Sequence, residues 1–416
     1  MSDFSHRFAD GSAPQTGFGR VHYNILTYLH SRGHSVFEAA VGYMGQMIPM
    51  EIPWPVYSTN AYGRMEGQDM VPLLANQLNA DAILLLADVP DVAYPVMPLE
   101  YRDRKQGQPL KDEIIAHIEA GTWKKIAYTV IDGAAPNGHI PRDWHDIFKG
   151  FDGIAVATKW GCDLIEKNVG LRPTYLPHMV DTNRFKPTDK TIARSRFGID
   201  PEAFVILGMG VNRKRKMIPS WFETVAKFAE KAEPKKVLFW VHSYNVPEDP
   251  GYDLQALSDH YELKKYGIHA ITTNKLPEDT VPLAMSAADC GINLSNEGFG
   301  LVPLEGAACR IPFFVMDYAG QPEQVTDAMD NFLKVPVKVL IPQPGNVICW
   351  GWPDTDIAAE RLAEYYADGK LRTKLKRASW EHAQRFSLNN VLPRFEKWLE
   401  EIVQREEKPS LTVEVV

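Results

Sequence analysis

Short apolar runs alternate with stretches of helical period through most of the chain, which predicts repeated strand–helix units around parallel sheets. DAILLLAD (81–88), KKIAYTVID (124–132) and GIAVATK (153–159) read as buried strands, beside helices over 21–29, 112–118 and 161–167. After HMVDTNRFKP (178–187), a polar stretch closed by proline and suited to a linker, the alternation restarts. AFVILGMG (203–210), KVLFWVHS (236–243), IHAITT (268–273), DCGINLS (289–295) and IPFFVMD (311–317) form the second set of strands. The chain therefore reads as α/β, with domains over 1–182 and 183–385 facing each other across a cleft that is the natural ligand site. From residue 356 onward, aromatic and leucine positions recur at three- and four-residue spacing, which predicts two closing helices. The second lies in a terminal segment, 386–416, whose Leu392, Phe395, Trp398 and Leu399 need a surface to bury against; the first domain is the available one.

Composition narrows the class. At 416 residues, 45% hydrophobic and 24% charged, with glycine and proline showing no period, the chain is neither collagen-like nor largely disordered. A net charge of −8 lacks the global basic footprint of a non-specific nucleic-acid binder. Cys162, Cys290, Cys309 and Cys349 have no metal-ligand spacing and read as buried reduced thiols. The first fifteen residues are polar and no apolar run is long enough to span a membrane, so the expected address is the cytoplasm.

The segment richest in chemistry is NEGFGLVPLEGAACRIP (296–312). A buried strand ends at Ser295, a glycine-flanked turn follows, and a small-residue helix begins near Val302 or Pro303. Such a turn aims backbone N–H groups and the positive end of a helix dipole into the cleft, which makes an anion site. Glu297 stands at its mouth and Glu305 on the helix, so both can face one ligand; a capping turn with two solvated glutamates fits the local residues equally. In GMGVNRKRKMIPSW (208–221), Arg213 to Lys216 put four basic residues at the end of a buried strand. They can hold an anionic group by charge-assisted hydrogen bonds, although a basic run by itself is more often a solvated face. YTVIDGAAPNGHIP (128–141) ends a strand at Asp132, which can take a hydroxyl proton or equally serve as a cap or turn former; His139 follows in a loop. Asp354 and Asp356 open a helix and read as a cap, not a metal site.

Together these segments resemble the family 4 retaining glycosyltransferases of the GT-B fold. Glu297 to Glu305 resembles that family's E-x7-E signature, and AGQPEQV (319–325) its following glycine-x-Pro-Glu turn. LPHMVDTNRFKP (176–187) is similar to its interdomain segment, and TGFGRVHYNILTYLHSRGHSV (16–36) to its opening loop and first helix. The resemblance implies two Rossmann-like domains and transfer of a hexose from a nucleotide-diphosphate sugar, UDP- or GDP-linked, to an acceptor hydroxyl. Retention of configuration, no metal and no cofactor are part of the same implication. By family position Glu297 contacts the donor sugar and Glu305 the ribose, while the N–H groups of Gly298, Phe299, Gly300 and Leu301 meet the sugar or diphosphate. Gly17 and Gly19 come close to the donor phosphates, and Lys216 matches the family's phosphate lysine. Val211 stands where the partner arginine is expected, so Arg213 or Arg215 must substitute. Two further departures are the polar opening SDFSHRFADGSAPQ, in place of a first apolar strand, and Asp132, in place of a histidine common near the reacting sugar. His178 reads as a domain-interface residue.

The acceptor is not legible. Residues 1–180 carry 15 Lys and Arg against 20 Asp and Glu, so a duplex meets net repulsion; this disfavours a hydroxymethylated DNA base without excluding it. A lipid acceptor is weakened by the lack of a basic amphipathic face. A sugar-nucleotide epimerase would bind the same donor, as would a non-catalytic sugar-nucleotide-binding protein, for which Val211 and Asp132 are the motive.

Overall fold

The computed structural model describes residues 17–40, 52–58, 70–100, 109–245, 251–266, 269–273, 275–343 and 347–404, and the polar opening lies outside them. The first unit starts with helix α1 (Gly17–Ser31), a parallel pair β1 (Glu38–Ala40) and β2 (Val56–Ser58), and α2 (Met70–Gln77). Its main sheet runs β3 (Ala82–Leu86), β4 (Lys124–Thr129), β5 (Gly153–Val156) and β6 (Thr174–Tyr175), all parallel and in chain order. Helices α3 (Asp112–Glu119), α4 (Arg142–Lys149) and α5 (Lys159–Val169) make the crossovers. Every position of β3 is buried because the sheet is covered on both faces: Leu84 and Leu86 face one core, Ile83 and Leu85 the other.

The second unit holds α6 (Lys190–Arg196), β7 (Phe204–Met209), α7 (Ile218–Ala232), β8 (Val237–His242), α8 (Leu254–His260) and β9 (His269–Thr272). It continues with α9 (Val281–Ala287), β10 (Cys290–Asn293), α10 (Leu301–Ala308), β11 (Phe313–Met316), the short α11 (Ala328–Asn331) and β12 (Lys334–Val335). These six strands are parallel in the order β12-β11-β10-β7-β8-β9. The chain winds outward in opposite directions from β7 and β10, so the crevice of a doubly wound sheet opens between their carboxyl ends.

Two features differ from the sequence reading. An antiparallel hairpin, β13 (Val337–Pro342) and β14 (Cys349–Pro353), is inserted after β12. The tail forms three helices instead of two: α12 (Thr355–Ala367), α13 (Gly369–Gln384) and α14 (Leu388–Val403). The extra break is made by Asp368, whose carboxylate accepts the N–H groups of Lys370 and Leu371 and starts a new helix. Asp354 caps α12 in the same way, while Asp356 pairs with Lys227 and Lys338.

Helix α14 lies on the first unit. Phe395 meets Tyr128 of β4 edge-on at 5.1 Å between ring centroids, Glu396 accepts from the Tyr28 hydroxyl at 3.0 Å, and Arg394 donates to the Tyr175 carbonyl at 3.0 Å. All four cysteines are free and buried. No helix among the described residues is long and apolar enough to cross a membrane.

Candidate active site

Two turns leave the crevice ends of β7 and β10, and they carry the charged groups. After β7 a single 3-10 turn, Lys214–Lys216, ends at Met217 in the left-handed region, which reverses the chain into α7. After β10 comes the turn Asn296–Gly300, where Gly300 adopts φ +95° to cap α10; this conformation strains any residue with a Cβ. The turns are stitched together by one backbone and one side-chain hydrogen bond: Asn296 N–H donates to the Arg215 carbonyl at 3.0 Å, and Arg215 Nη1 to the Asn296 carbonyl at 2.9 Å. The Asn296 side chain also clamps the hairpin, accepting from Gly351 N–H at 2.7 Å.

Glu297 is thereby held between two cations. Its Oε2 takes Arg215 Nη1 at 2.6 Å and its Oε1 pairs with Lys216. Against a burial that would raise its pKa, Arg215 and Lys216 hold it down to about 2. Burial shifts Lys216 downward, with Glu297 opposing that shift and Arg215 adding to it. Arg213 stands at the entry of the turn and contributes to the field at Lys216 and Tyr244.

The first unit meets these turns from the opposite side. Gly298 packs so closely on the end of β4 that a Cβ there would fall 2.6 Å from Val130 Cβ. At Gly17 an added Cβ would lie 3.5 Å from Leu301 Cδ1, so the loop that starts α1 touches the start of α10. Gly19 is buried inside α1. Phe299 meets His178 at 4.7 Å between ring centroids, the rings tilted by 55°, and His178 shares a 2.6 Å hydrogen bond with the Tyr128 hydroxyl, so His178 sits in the seam between the units. Gly298 and Phe299 thus face the first unit directly.

Asp132 follows β4 and feels Asp88, Arg215 and Glu297. Burial and then the like charge of Asp88 raise it to about 6, with Arg215 opposing. Asp88 was missed in the sequence, although its place at the end of the apolar run 82–87 was the available signal. The hairpin also reaches this loop: Cys349 N–H donates to the Ala134 carbonyl at 3.0 Å and the Tyr318 hydroxyl to the Cys349 carbonyl at 2.8 Å. His139 lies on the exposed surface, bonded to Asn168 at 3.2 Å, away from the charged turns.

Glu305, 3% exposed on α10, is reached from the first unit by Arg20 at 3.0 Å. Burial raises its pKa and Arg20 opposes that shift. The arrangement sets Glu297 on a cation pair at the sheet's switch point, Glu305 farther along α10, and Asp88 with Asp132 on the facing unit. Such a set can hold a dianionic ligand with hydroxyl-rich groups on either side.

A family model described as "Glycosyl transferases group 1" matches residues 189–343. The D-inositol 3-phosphate glycosyltransferase of Saccharomonospora viridis is 28% identical over 212 residues, 50% of this chain and 45% of that protein. That of Geodermatophilus obscurus is 31% identical over 166 residues, 39% of this chain and 36% of that protein. These matches span less than half the length of either curated relative. Among solved structures, sucrose-phosphate synthase from Thermosynechococcus elongatus superimposes with a TM-score of 0.70 at 13% identity, over 96% of this chain and 98% of that one. The Anabaena protein HepE, in complex with UDP-glucose, gives 0.62 at 13% identity over 96% and 100%.

Proposed function

We propose, for a chain that belongs to the family 4 glycosyltransferases of GT-B fold, that it moves a hexose from a nucleoside-diphosphate sugar to an acceptor hydroxyl, with retention of configuration and without a metal. The observation that carries this reading is Glu297 paired with Arg215 and Lys216 at the switch point, facing Asp132 across the cleft.

In a transfer of this kind the bond from the anomeric carbon to the diphosphate breaks through an oxocarbenium-like state, and negative charge grows on the leaving phosphate. Arg215 and Lys216 supply the opposing charge from fixed positions, and the N-terminus of α10 adds its dipole. A donor arriving in the cleft takes these cations for its phosphates and leaves Glu297 to accept hydroxyls of the sugar. Asp132 on the opposite wall takes or orients the proton of the acceptor hydroxyl. Glu305 accepts the ribose hydroxyls. The supply of these cations supports a metal-independent clamp. HepE was solved with UDP-glucose, which makes a UDP-sugar the first donor to try.

A thermal-shift panel of UDP-, GDP-, ADP- and dTDP-sugars identifies the donor, because only a ligand of the folded state raises the melting temperature. Anomeric analysis of the transferred sugar by NMR then tests retention, and an inverted product sinks that part of the proposal. Activity abolished by EDTA and restored by a divalent ion sinks metal independence. A new hexosamine formed from UDP-N-acetylglucosamine alone turns the assignment to an epimerase.

A further inference from the structure

The transfer chemistry above makes no use of Arg20. It stands on the first turn of α1, in the first unit, yet its guanidinium crosses to the second. Nη2 lies 3.0 Å from Glu305 Oε1 and Nη1 lies 3.6 Å from Glu278 Oε1. Glu278, on the approach to α9, is held in turn by Arg184 of the linker at 2.6 Å. Glu305, Arg20, Glu278 and Arg184 therefore form a chain of alternating charge through both units and the segment that joins them. Arg20 is 20% exposed, and its Nε is buried without a hydrogen-bond partner.

We propose that Arg20 is a donor-positioning residue that reaches from the first unit to hold and orient the ribose-binding carboxylate Glu305, so that nucleotide binding and closure of the cleft are one event. This rests on the reading of Glu305 as the ribose ligand. The physical reason is that Glu305 is buried, and a buried carboxylate accepts two hydroxyls well only while ionised and fixed in rotamer. The groups that act on it are Arg20 from α1, Glu278 from the approach to α9, Arg184 from the linker, and Cys309 one turn along α10. Burial comes first and raises its pKa, Glu278 adds to the rise, and Arg20 is the largest opposing influence. Opening the cleft parts Arg20 from both carboxylates, leaving Glu305 more readily protonated and free to rotate.

The test uses the full chain and whichever of UDP, GDP and ADP raises its melting temperature, together with the 2′,3′-dideoxy analogue of that diphosphate. Titration calorimetry across pH 5 to 9 gives both affinities for the unaltered chain, Arg20→Met, Arg20→Lys and Glu305→Gln. The expected results are a preference for the ribose form that falls by about tenfold or more in Arg20→Met, and partial recovery in Arg20→Lys. The acid fall-off of affinity should also move to higher pH in Arg20→Met, since removing the cation raises the pKa of Glu305. Arg20→Gln supplies the same comparison where Arg20→Met does not fold. If Glu305→Gln keeps the full ribose preference, the ribose reading of Glu305 fails. If Glu305→Gln loses it while the neutral Arg20 variants keep both preference and pH profile, the role of Arg20 fails alone.

Discussion

Glu323 of the second unit caps a helix of the first: its carboxylate accepts the backbone N–H of Trp160 at 2.8 Å and, through its other oxygen, that of Lys159 at 3.0 Å. Thr158 takes the N–H of Gly161, so three donors that would otherwise be orphaned at the start of α5 are satisfied, two of them from across the molecule. The seam between the units is thus fastened by a helix cap, on the same turn that carries the Pro-Glu motif. Glu323→Ala leaves both N–H groups without this partner and should cost about 1–3 kcal/mol. Urea denaturation reads the loss, and faster amide exchange at Trp160 locates it. Unchanged exchange there would mean that water replaces the cap without penalty.

The pH behaviour of Asp132 follows from its raised pKa, with burial and then Asp88 as the cause. A folded-state value of about 6 lies above the unfolded value of about 3.9, so this carboxyl favours the fold most below about pH 4, and that contribution is lost as pH rises through 6. Asp132→Asn removes the dependence, and its melting temperature should gain on the unaltered chain more at pH 8 than at pH 5. As the acceptor's base, Asp132 must be ionised. The kcat/KM should therefore rise with pH through about 6, and the Asn variant should lose that limb together with about 10²- to 10⁴-fold in rate. Wild-type turnover in the variant removes the base assignment.

Lys216→Ala and Arg215→Ala should each lower turnover by about 10²-fold, because each removes a fixed donor to charge that develops on the leaving phosphate. Arg213→Ala, at the entry of the turn and not on Glu297, should cost less. Glu297, held at about 2, contributes stability that is present above its unfolded pKa and lost as pH falls toward 2; Lys216→Ala should lessen that acid sensitivity. Steady-state kinetics of the three variants rank the cations. Turnover kept in Lys216→Ala and lost in Arg213→Ala would move the phosphate site to the other end of the turn.

Ending the chain after Arg385 deletes α14, with Val391, Leu392, Phe395, Trp398, Leu399 and Ile402 all buried. At about 1.5–3 kcal/mol for each large apolar side chain, their burial is comparable to the whole stability of an ordinary domain. The truncated chain should be insoluble or melt far below the intact one. The point variant Phe395→Ala should lose about 3–5 kcal/mol in chemical denaturation. A truncated chain with intact melting and transfer would make α14 a dispensable tail.

The strands were readable because local pattern and burial agree. In 81–88 the run of apolar residues has no polar alternation, and β3 is buried on both faces, which is the environment such a run requires. The sequence likewise carried the glycine turn at 298–300, since φ +95° at Gly300 suits little besides glycine. The hairpin over 337–353 was not readable. Its exposed Val339 and Ile341 break the inside–outside alternation that marks a strand, and its place is set by a backbone bond to Ala134 and by the Asn296 side chain, both far away in the chain. The break at Asp368 is marked locally by the Asp-Gly pair 368–369, but helix formers before Asp368 and after Gly369 carry the helical period across it.

By itself the sequence determined where strands and turns fall and which charged residues end them, because those are matters of local period, glycine and capping. Only the tertiary structure decided which charges meet. Asp88 and Asp132 are neighbours because β3 and β4 pair in parallel register, Leu86 beside Tyr128, which brings their ends together. Lys216 and Glu297 meet because β7 and β10 are adjacent at the point where the winding of the sheet reverses, and no spacing along the chain encodes that adjacency. Arg20 reaches Glu305 only when the two units stand face to face. The interaction of two charges depends on their separation and on the water removed from around them, and both are set by packing.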